Sequence, residues 1–274
     1  MITILPADLM PNVTSEFRKA VTMPRGRVLA STIGAVALIA SIVATRIATP
    51  SGPPDPAARF ATAPATIGLY AGLVTVVLAA ACFGVLSGGA EYRYRTMAVT
   101  MLFAPDRDRF TAAKFLVTGC CALVAAAAVE LITLAGSATV ELLTSGTLFG
   151  VERDKITVTA ELFGVLGGGL LTVVCWSLLG VGASILLRSS TGAFALLLGW
   201  GVLVEPLLWL LAHGFGIPGV ATLLPLSATV ATVAAGAFPD NDFLAPAPAA
   251  AVVLLLWTTG IGVASWWSLR TKDL

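Results

Sequence analysis

The sequence predicts an all-α, polytopic membrane protein with six transmembrane helices, and three observations support this fold class. Hydrophobic residues make up 57% of the 274-residue chain and charged residues only 11%, whereas soluble domains are about 25% charged. Six apolar stretches are each long enough to cross about 30 Å of hydrocarbon as a helix. These stretches are apolar on all sides, without the period-two alternation of a barrel strand, which favours helices.

The six predicted spans form one transmembrane domain, residues 27–274, which follows an entry segment, residues 1–26. The spans comprise residues 27–47, 66–88, 112–138, 159–187, 192–212 and 248–268. The third and fourth stretches exceed the roughly 20 residues that a perpendicular span needs. We therefore expect these two helices to tilt or to extend beyond the hydrocarbon.

The distribution of Lys and Arg predicts the orientation. Met1 to Asn12 contains no Lys or Arg and has no signal-peptide pattern, so we expect the amino terminus to stay in the cytoplasm. Only Arg46, Arg59, Arg153 and Lys155 would then lie outside, which agrees with the positive-inside rule. Both termini are expected in the cytoplasm. Richness in Ala, Gly and Val is typical of a GC-rich bacterial genome, so the predicted location is a bacterial cell membrane.

The entry segment, residues 1–26, has the pattern of an amphipathic helix. Apolar residues recur at intervals of four: Leu9, Val13, Phe17 and Val21. Polar residues occupy the other sides: Ser15, Glu16, Arg18, Lys19 and Thr22. Such a helix is suited to lie in the membrane interface. It either anchors the first span or also contacts a cytoplasmic partner, and both roles are compatible.

Residue patterns for enzymatic chemistry are absent from the sequence. No Gly-Lys dipeptide occurs, which excludes a phosphate-binding P-loop, and His213 is the single histidine, which excludes a His pair for zinc. The cysteines all fall within predicted spans, where we interpret them as packing residues: Cys82, Cys120, Cys121 and Cys175. We expect no enzyme activity, no cofactor or metal on this chain, and no nucleic-acid partner.

Carboxylates within the spans are the next candidates for function. Glu130 lies well inside the third span and Glu205 precedes Pro206 in the fifth. A charge at the bilayer centre costs about 2.5–3.5 kcal/mol on insertion scales, so these groups either pack in protonated or hydrogen-bonded form or line a substrate path. Glu141 and Glu161 lie near span ends, where we expect a charge to cost little.

Aromatic and small residues on the second and fifth spans suggest where a substrate passes. We predict a path between two copies of the bundle, along faces of these two spans, because aromatic surfaces tolerate cargo of varied shape. The predicted path residues are Tyr70, Phe83, Glu130, Trp200, Glu205 and Trp209.

The inner loop, residues 89–111, is the most charged part of the chain. We predict a helix from Glu91 to Phe103 that continues the second span, a break at Pro105, and a second helix capped by Asp106. The result would be a short charged hairpin that protrudes into the cytoplasm. A rigid element of this kind is suited to receive a push from a partner protein.

This loop resembles the inner loop of permeases of the type-2 ATP-binding-cassette (ABC) export family. The family pattern is Glu-Tyr-Arg-x-Gly-Thr, a short helix, Pro, a basic residue, then Ala-Lys at the start of the third span. The matching residues are Glu91, Tyr92, Arg93, Thr96, Pro105, Arg107, Arg109, Ala113 and Lys114, with Arg95 in place of the family glycine. Three weaker likenesses are the entry-helix run Ser15–Lys19, Leu224-Pro225-Leu226 in an outer re-entrant region at 213–247, and the tail Arg270–Asp273.

The resemblance implies the permease subunit of an exporter. Such a chain pairs with a second permease copy or a related permease, and with ATPase subunits that bind ATP and Mg. ATP-driven closure would switch the bundle between inward-open and outward-open states and expel a hydrophobic or amphipathic small molecule such as a drug, an antibiotic or a lipid-like compound. The coupling residues implied are Glu16, Arg18, Lys19, Glu91, Tyr92, Arg93, Thr96, Arg107, Arg109 and Lys114.

Two other functions remain open from the sequence. An ion-gradient-driven secondary transporter would use Glu130 and Glu205 as a proton relay. A membrane scaffold or signalling partner would transport nothing. The absence of an evident inverted repeat and the concentration of charge in one inner hairpin favour the exporter.

Overall fold

A computed structural model describes residues 9–22, 24–49, 63–103, 106–146, 155–234 and 244–271. Six helices are long and apolar enough to cross a membrane: Ser31–Ala48, Pro64–Arg93, Arg107–Thr144, Ala160–Leu187, Ser190–Gly214 and Ala247–Thr271. The predicted class, a polytopic all-α membrane protein with six spans, is thereby confirmed. Pro105, the tail after Thr271, and parts of the outer segments, including 235–243, lie outside the described residues.

The described residues form ten α-helices. They are α1 (Met10–Thr22), α2 (Pro24–Ala48), α3 (Pro64–Arg93), α4 (Met97–Phe103), α5 (Arg107–Ser145), α6 (Lys155–Leu187), α7 (Ser190–Gly199), α8 (Glu205–Gly214), α9 (Pro225–Ala234) and α10 (Ala247–Thr271). A π-helical segment, Trp200–Val204, joins α7 to α8, so that these elements form the fifth span. A 3₁₀ helix, Pro218–Leu223, precedes α9. With 39 and 33 residues, α5 and α6 exceed the length of a perpendicular span, as expected.

Helices α3 and α6 form the centre of the bundle, and the other spans pack around them. Their spans are 56% and 67% buried, against 17% for the first span. Glycines allow this close crossing, because a Cβ atom on Gly84 would overlap the backbone of Ser177 and one on Gly180 would meet the backbone of Ala81. The backbones of α3 and α6 are therefore in close contact at this crossing.

The fifth span is the least covered helix of the bundle. Only 6% of its residues are buried, and Val202, Leu203 and Leu210 are each 69% exposed. This apolar surface requires lipid or another protein chain to cover it.

The predicted single helix over Glu91–Phe103 continues the second span at Glu91 as expected, but it is wrong in being continuous, because residues 94–96 are not helical. Helix α3 ends at Arg93 and α4 begins only at Met97. Arg95 between them has a φ of 56°, in the left-handed region that ends a helix. The predicted cap at Asp106 is confirmed, since its side chain accepts hydrogen bonds from the backbone N–H groups of Asp108 and Arg109.

Glu141 also differs from expectation. It is fully buried, whereas we expected it near a span end, where a charge is only weakly desolvated. Its Oε2 accepts a hydrogen bond of 3.0 Å from the backbone N–H of Ala65, in the first turn of α3. The first N–H groups of a helix have no partner within the helix. Glu141 therefore caps α3 and ties that end of α3 to α5.

Candidate functional site

Four charged side chains meet at one end of the bundle, where α1, α4, the start of α5 and the end of α10 lie together. We call this region the charged end, and we call Glu16, Lys19, Glu91 and Lys114 the lysine–carboxylate cluster. The exposed fractions of Lys114, Glu91 and Glu16 are 1%, 4% and 7%. Lys and Glu are almost never this buried unless they are paired.

Lys114 occupies the centre of the cluster. Its Nζ lies 2.8 Å from Oε2 of Glu16 and 3.0 and 3.1 Å from the two carboxylate oxygens of Glu91. It also donates to the backbone carbonyl of Ser87 at 3.2 Å. These acceptors engage all three N–H groups of the ammonium ion. Lys114 thus binds α5 to both α1 and α3.

Lys19 forms the outer side of the cluster, with 37% of its side chain exposed. Its Nζ lies 2.6 Å from Oε1 of Glu16 and 3.3 Å from Oε1 of Glu91. Burial opposes charge on Glu16, but the charge and hydrogen bonds of Lys114 and Lys19 outweigh it, so the pKa of Glu16 is lowered. Burial likewise opposes charge on Lys19, yet Glu16 and Glu91 raise its pKa. Glu16 and Lys19 therefore remain charged at neutral pH.

The cluster explains which face of α1 packs against the bundle. Glu16, on the polar face in the sequence, is the buried residue of α1, whereas Phe17 and Val21 of the apolar face are 52% and 49% exposed. Buried ion pairs add little net stability, because desolvation offsets their attraction. Their main effect here is to fix the position of α1, because Glu16 and Glu91 keep their bonds to Lys114 and Lys19 in this arrangement of α1.

A second set of contacts ties the start of α5 to the end of α10. Arg107 donates from Nη1 to the backbone carbonyl of Leu269 at 2.6 Å. Trp266 donates from Nε1 to Oδ1 of Asp108 at 2.7 Å. The last carbonyls of a helix lack partners within the helix, so Arg107 acts as a capping group for α10.

The remaining predicted coupling residues line the surface of the charged end. Arg18, Arg93 and Thr96 are exposed, and Arg109 is exposed beside Asp106, with 2.8 Å between Nε and Oδ2. Tyr92 is half-buried and packs on an apolar cluster that includes Met97, Phe110 and Leu269. The structure therefore joins four of the predicted coupling residues, links Arg107 to α10, and leaves four on the surface.

Glu205 has a hydrogen-bonded packing role, which is one of the two alternatives that the sequence left open. Its Oε1 accepts hydrogen bonds of 2.7 and 2.9 Å from the backbone N–H groups of Leu226 and Ser227, and its Oε2 accepts one of 3.1 Å from Nε1 of Trp200. It is fully buried. The carboxylate thus caps the amino terminus of α9 and holds that helix against the fifth span.

Glu130 has different neighbours from Glu205. It is 2% exposed on α5 and faces Gly169 of α6 and Leu73 of α3. Its Oε1 has no hydrogen-bond partner among the residues that the structure describes. The two carboxylates predicted as a proton relay therefore do not share a site.

The aromatic residues of the predicted path are also dispersed within one copy of the chain. Tyr70 packs beside the apolar cluster of Leu69, Leu73 and Val165. Phe83 lies thirteen residues further along α3, about 20 Å away at 1.5 Å per residue, and lines a cavity at the charged end. Trp200 packs against Trp257 of α10 with the rings tilted by 60° and 5.7 Å between their centroids. Trp209 is half-exposed on α8.

Sequence reasoning missed the cavity beside Phe83. The cavity lies between α1, α2, α3 and α5 and has a volume of about 720 Å³. The small residues Ala122, Ala125, Ala126 and Ala128 on α5 help to form it. The alanine-rich run 122–128 was the available indication, because small side chains either bring helices together or leave space between them.

Metal-binding groups and related proteins were the two remaining sources of evidence about function. Among the described ranges, no group of three or more His, Cys, Asp or Glu side chains is placed to hold a metal ion. Comparison with known protein families, with curated proteins and with solved structures finds no match.

Proposed function

We propose that this chain is the membrane-spanning permease subunit of an ATP-driven exporter, with its charged end in the cytoplasm of a bacterial cell. It would expel a hydrophobic or amphipathic small molecule by alternating access, using ATP hydrolysis on a separate ATPase subunit. The observation that carries the proposal is the bonding of Lys114 to both Glu16 and Glu91. This contact joins the elements whose sequences resemble the coupling elements of type-2 ABC permeases.

The cluster supplies a mechanical connection from the surface to the core. A force on α1 acts on Glu16, which pulls on Lys114 of α5, and Lys114 is bonded to Glu91 of α3. Helix α3 crosses α6 in close contact at Gly84 and Gly180. A push on the charged end would therefore move α3 and α6 in the same direction. Helix α1 would keep its position relative to them.

The surface around the cluster is suited to an acidic docking partner. Arg18, Arg93 and Arg95 are exposed at the charged end, and Arg109 is exposed on the first turn of α5. Complementary charge increases the association rate and fixes the register of a complex more than it increases affinity. An ATPase subunit with acidic residues facing these arginines would fit this surface.

The fifth span offers a surface for the second permease copy. Its exposed apolar residues cannot be covered by the described part of the same chain, since only 6% of the span is buried. In a two-fold pair the same face of each copy would meet its counterpart. Glu205 and the start of α9, which it caps, would then lie just behind that interface.

The capping role of Glu205 argues against the rival secondary transporter. A relay carboxylate must exchange protons, but Glu205 accepts two backbone hydrogen bonds and one from Trp200. Glu130 lies elsewhere, against Gly169. Among the residues that the structure describes, the two carboxylates therefore contact different groups, which does not favour a relay between them.

Purification of the tagged full-length chain from its own membranes would test the proposal. We expect a P-loop ATPase to co-purify and its ATPase activity to depend on the chain. The variant Arg93→Glu/Arg109→Glu should reduce this association more than about tenfold, since like-charge contacts at an interface cost several kcal/mol. Arg46→Glu is the matched control, because Arg46 is exposed near the opposite end of α2. Failure to recover any P-loop ATPase, or equal losses in both variants, would contradict the proposal.

A further inference from the structure

Two cavities of different chemistry adjoin behind α1. The larger, of about 720 Å³, is lined by side chains that include Ile33, Val76 and Cys120. The smaller, of about 70 Å³, is lined by the lysine–carboxylate cluster together with Arg93. Ala20 and Phe83 line both cavities. The two spaces therefore adjoin at Ala20 and Phe83, with a charged part at the charged end and an apolar part within the bundle.

The larger cavity requires an apolar occupant. Among the side chains that the structure describes, its lining consists of Ala, Val, Ile, Phe and Cys only, and a cavity of such composition stays dry and takes up apolar molecules. Its volume falls within the roughly 300–1,000 Å³ of ligand-binding pockets.

The cavity is accessible from the side, where a membrane would lie. Val124 of α5 lines it and is 70% exposed, and Phe17 and Val21 of α1 line it while being about half exposed. These residues place an apolar opening between α1 and α5. The apolar molecules present at such an opening are the acyl chains of the surrounding bilayer.

The smaller cavity has a surplus of positive charge. The two carboxylates and two ammonium groups of the cluster balance each other, and Arg93 adds one cation to the lining. Within the described ranges Arg93 has no ion pair. Lys19 retains one N–H group beyond those that bond Glu16 and Glu91. These two side chains are placed to bind the phosphate of a lipid head group.

From these observations we infer that the two cavities together bind one phospholipid with an anionic head group. One acyl chain fills the larger cavity, and the phosphate lies against Arg93 and Lys19. The lipid packs beneath Phe17 and Val21 and so supports α1 on the bundle. The lipid is bound by one copy of the chain without an ATPase, and Arg93 is the residue that this site shares with the proposed docking surface.

Lipid titration of the purified, delipidated full-length chain, followed by native mass spectrometry, would test the inference. We expect each chain to bind one added phosphatidylglycerol and to retain it in the mass spectrometer. Phosphatidylcholine with the same acyl chains should bind about tenfold more weakly, because its head group carries no net negative charge. Absence of a retained phosphatidylglycerol, or equal binding of both lipids, would overturn the inference, whereas neither result would bear on the association with an ATPase.

Matched variants would locate the lipid. Ala79→Phe fills the larger cavity and should reduce binding at least about tenfold, whereas Ala135→Phe, on the exposed side of α5 and outside the lining, should not. Arg93→Gln should reduce the preference for phosphatidylglycerol, whereas Arg18→Gln, exposed on α1 and outside the lining, should leave it unchanged. Equal effects within either pair would overturn the assignment to these cavities.

Thiol reactivity gives a measurement that does not depend on the filling variants. In a Cys82→Ser/Cys175→Ser background, Cys120 and Cys121 remain, and both line the larger cavity. Bound phosphatidylglycerol should slow their reaction with an apolar maleimide several-fold relative to the delipidated chain. An unchanged rate at saturating lipid would show that the acyl chain binds elsewhere.

Discussion

The ammonium group of Lys114 lies 2.8 Å from a carboxylate oxygen of Glu16, a residue 98 positions earlier in the chain. Both side chains are more than nine-tenths buried, so the pair is shielded from water and its attraction is strong. Desolvation of the two groups opposes that attraction. The consequence is an asymmetry: removing one partner is costly, whereas the intact cluster adds little net stability.

The first prediction follows from this asymmetry. Lys114→Met leaves Glu16 and Glu91 buried without their shared cation, and removal of one partner from a buried ion pair costs about 3–5 kcal/mol. We expect a marked decrease in the free energy of unfolding of the chain in mixed micelles. Loss of α1 docking should accompany it, because Lys114 bonds α1 to α5.

A double-mutant cycle supplies the control. In a Glu91→Gln background Lys114→Met removes the cation after one of the two carboxylates is already neutral, so its cost should fall. If the cost of Lys114→Met is the same in both backgrounds, the ion pair between Lys114 and Glu91 has no energetic significance.

The second prediction concerns pH. Glu16 has a pKa below its ordinary value of 4.5, so its contribution to docking of α1 is complete above pH 4.5 and is lost as the pH falls through its lowered pKa. Lys19 has a pKa above its ordinary value of 10.5. Its contribution is complete below pH 10.5 and is lost as the pH rises through the raised pKa.

The separation of α1 from the bundle can be measured directly. Nitroxide labels at Ser15 of α1 and Leu102 of α4, both exposed, should report one distance across the neutral range by double electron–electron resonance. The distribution of distances should broaden at the acid and alkaline extremes of pH. Glu16→Gln should abolish the acid transition alone, and a distance unchanged well below pH 4.5 would count against the proposed role of Glu16.

The third prediction concerns Arg95, which adopts a φ of 56° between α3 and α4. A left-handed conformation costs an L-residue about 1–2 kcal/mol, and glycine avoids this cost. Arg95→Gly should therefore raise the unfolding temperature, with part of the gain offset by the greater freedom of glycine in the unfolded chain. Arg95→Ala separates backbone strain from charge, since alanine removes the charge but keeps the Cβ. Equal unfolding temperatures of the Gly and Ala variants would show that φ is not the cause.

Local rules predicted much of the fold and part of the candidate site. The six spans follow from apolar length, and the cap at Asp106 follows from its position after a proline and before a helical pattern. Glu16, Glu91 and Lys114 were each selected by resemblance. Their burial in one cluster could not be predicted, because it depends on contacts between residues 23 to 98 positions apart.

The carboxylates show the same limit of local reasoning. We expected Glu141 to lie near a span end, where a charge has a small desolvation cost. The tertiary fold instead places the first turn of α3 beside it, so that Glu141 is a buried cap that accepts from the N–H of Ala65. Glu205 before Pro206 suggested a broken helix, and a π-helical segment does precede it. Which backbone N–H groups would satisfy its oxygens depends on the return of the chain twenty-one residues later.

The fourth prediction distinguishes a capping role for Glu205 from a proton relay. Glu205→Ala leaves the N–H groups of Leu226, Ser227 and Trp200 without their acceptor, at about 1–3 kcal/mol for each buried unsatisfied group. Glu205→Gln keeps one acceptor oxygen, so it should lose less stability and retain transport in proteoliposomes. Glu161→Ala, at an exposed position, is the control with little effect. Abolition of transport by Glu205→Gln with normal stability would instead support a relay.

The last prediction separates two arginines that the sequence pattern treats alike. Arg107 donates at 2.6 Å to the carbonyl of Leu269, and a hydrogen bond from a charged group contributes about 1.5–3 kcal/mol. Arg109 forms an ion pair with Asp106 in which both side chains are nearly half exposed, and such pairs contribute roughly 0–1 kcal/mol. Arg107→Ala should therefore lower the unfolding temperature and increase hydrogen exchange in the last turn of α10.

Arg109→Ala should have the opposite profile, with unchanged stability and weaker association with the ATPase, because its side chain faces the surface where the partner is proposed to dock. The two readouts can be collected on the same preparations, so a general loss of folded protein would be visible in both. If Arg109→Ala lowered stability as much as Arg107→Ala, then Arg109 would be a structural residue of the helix start. The docking surface would then have to be assigned to Arg18, Arg93 and Arg95.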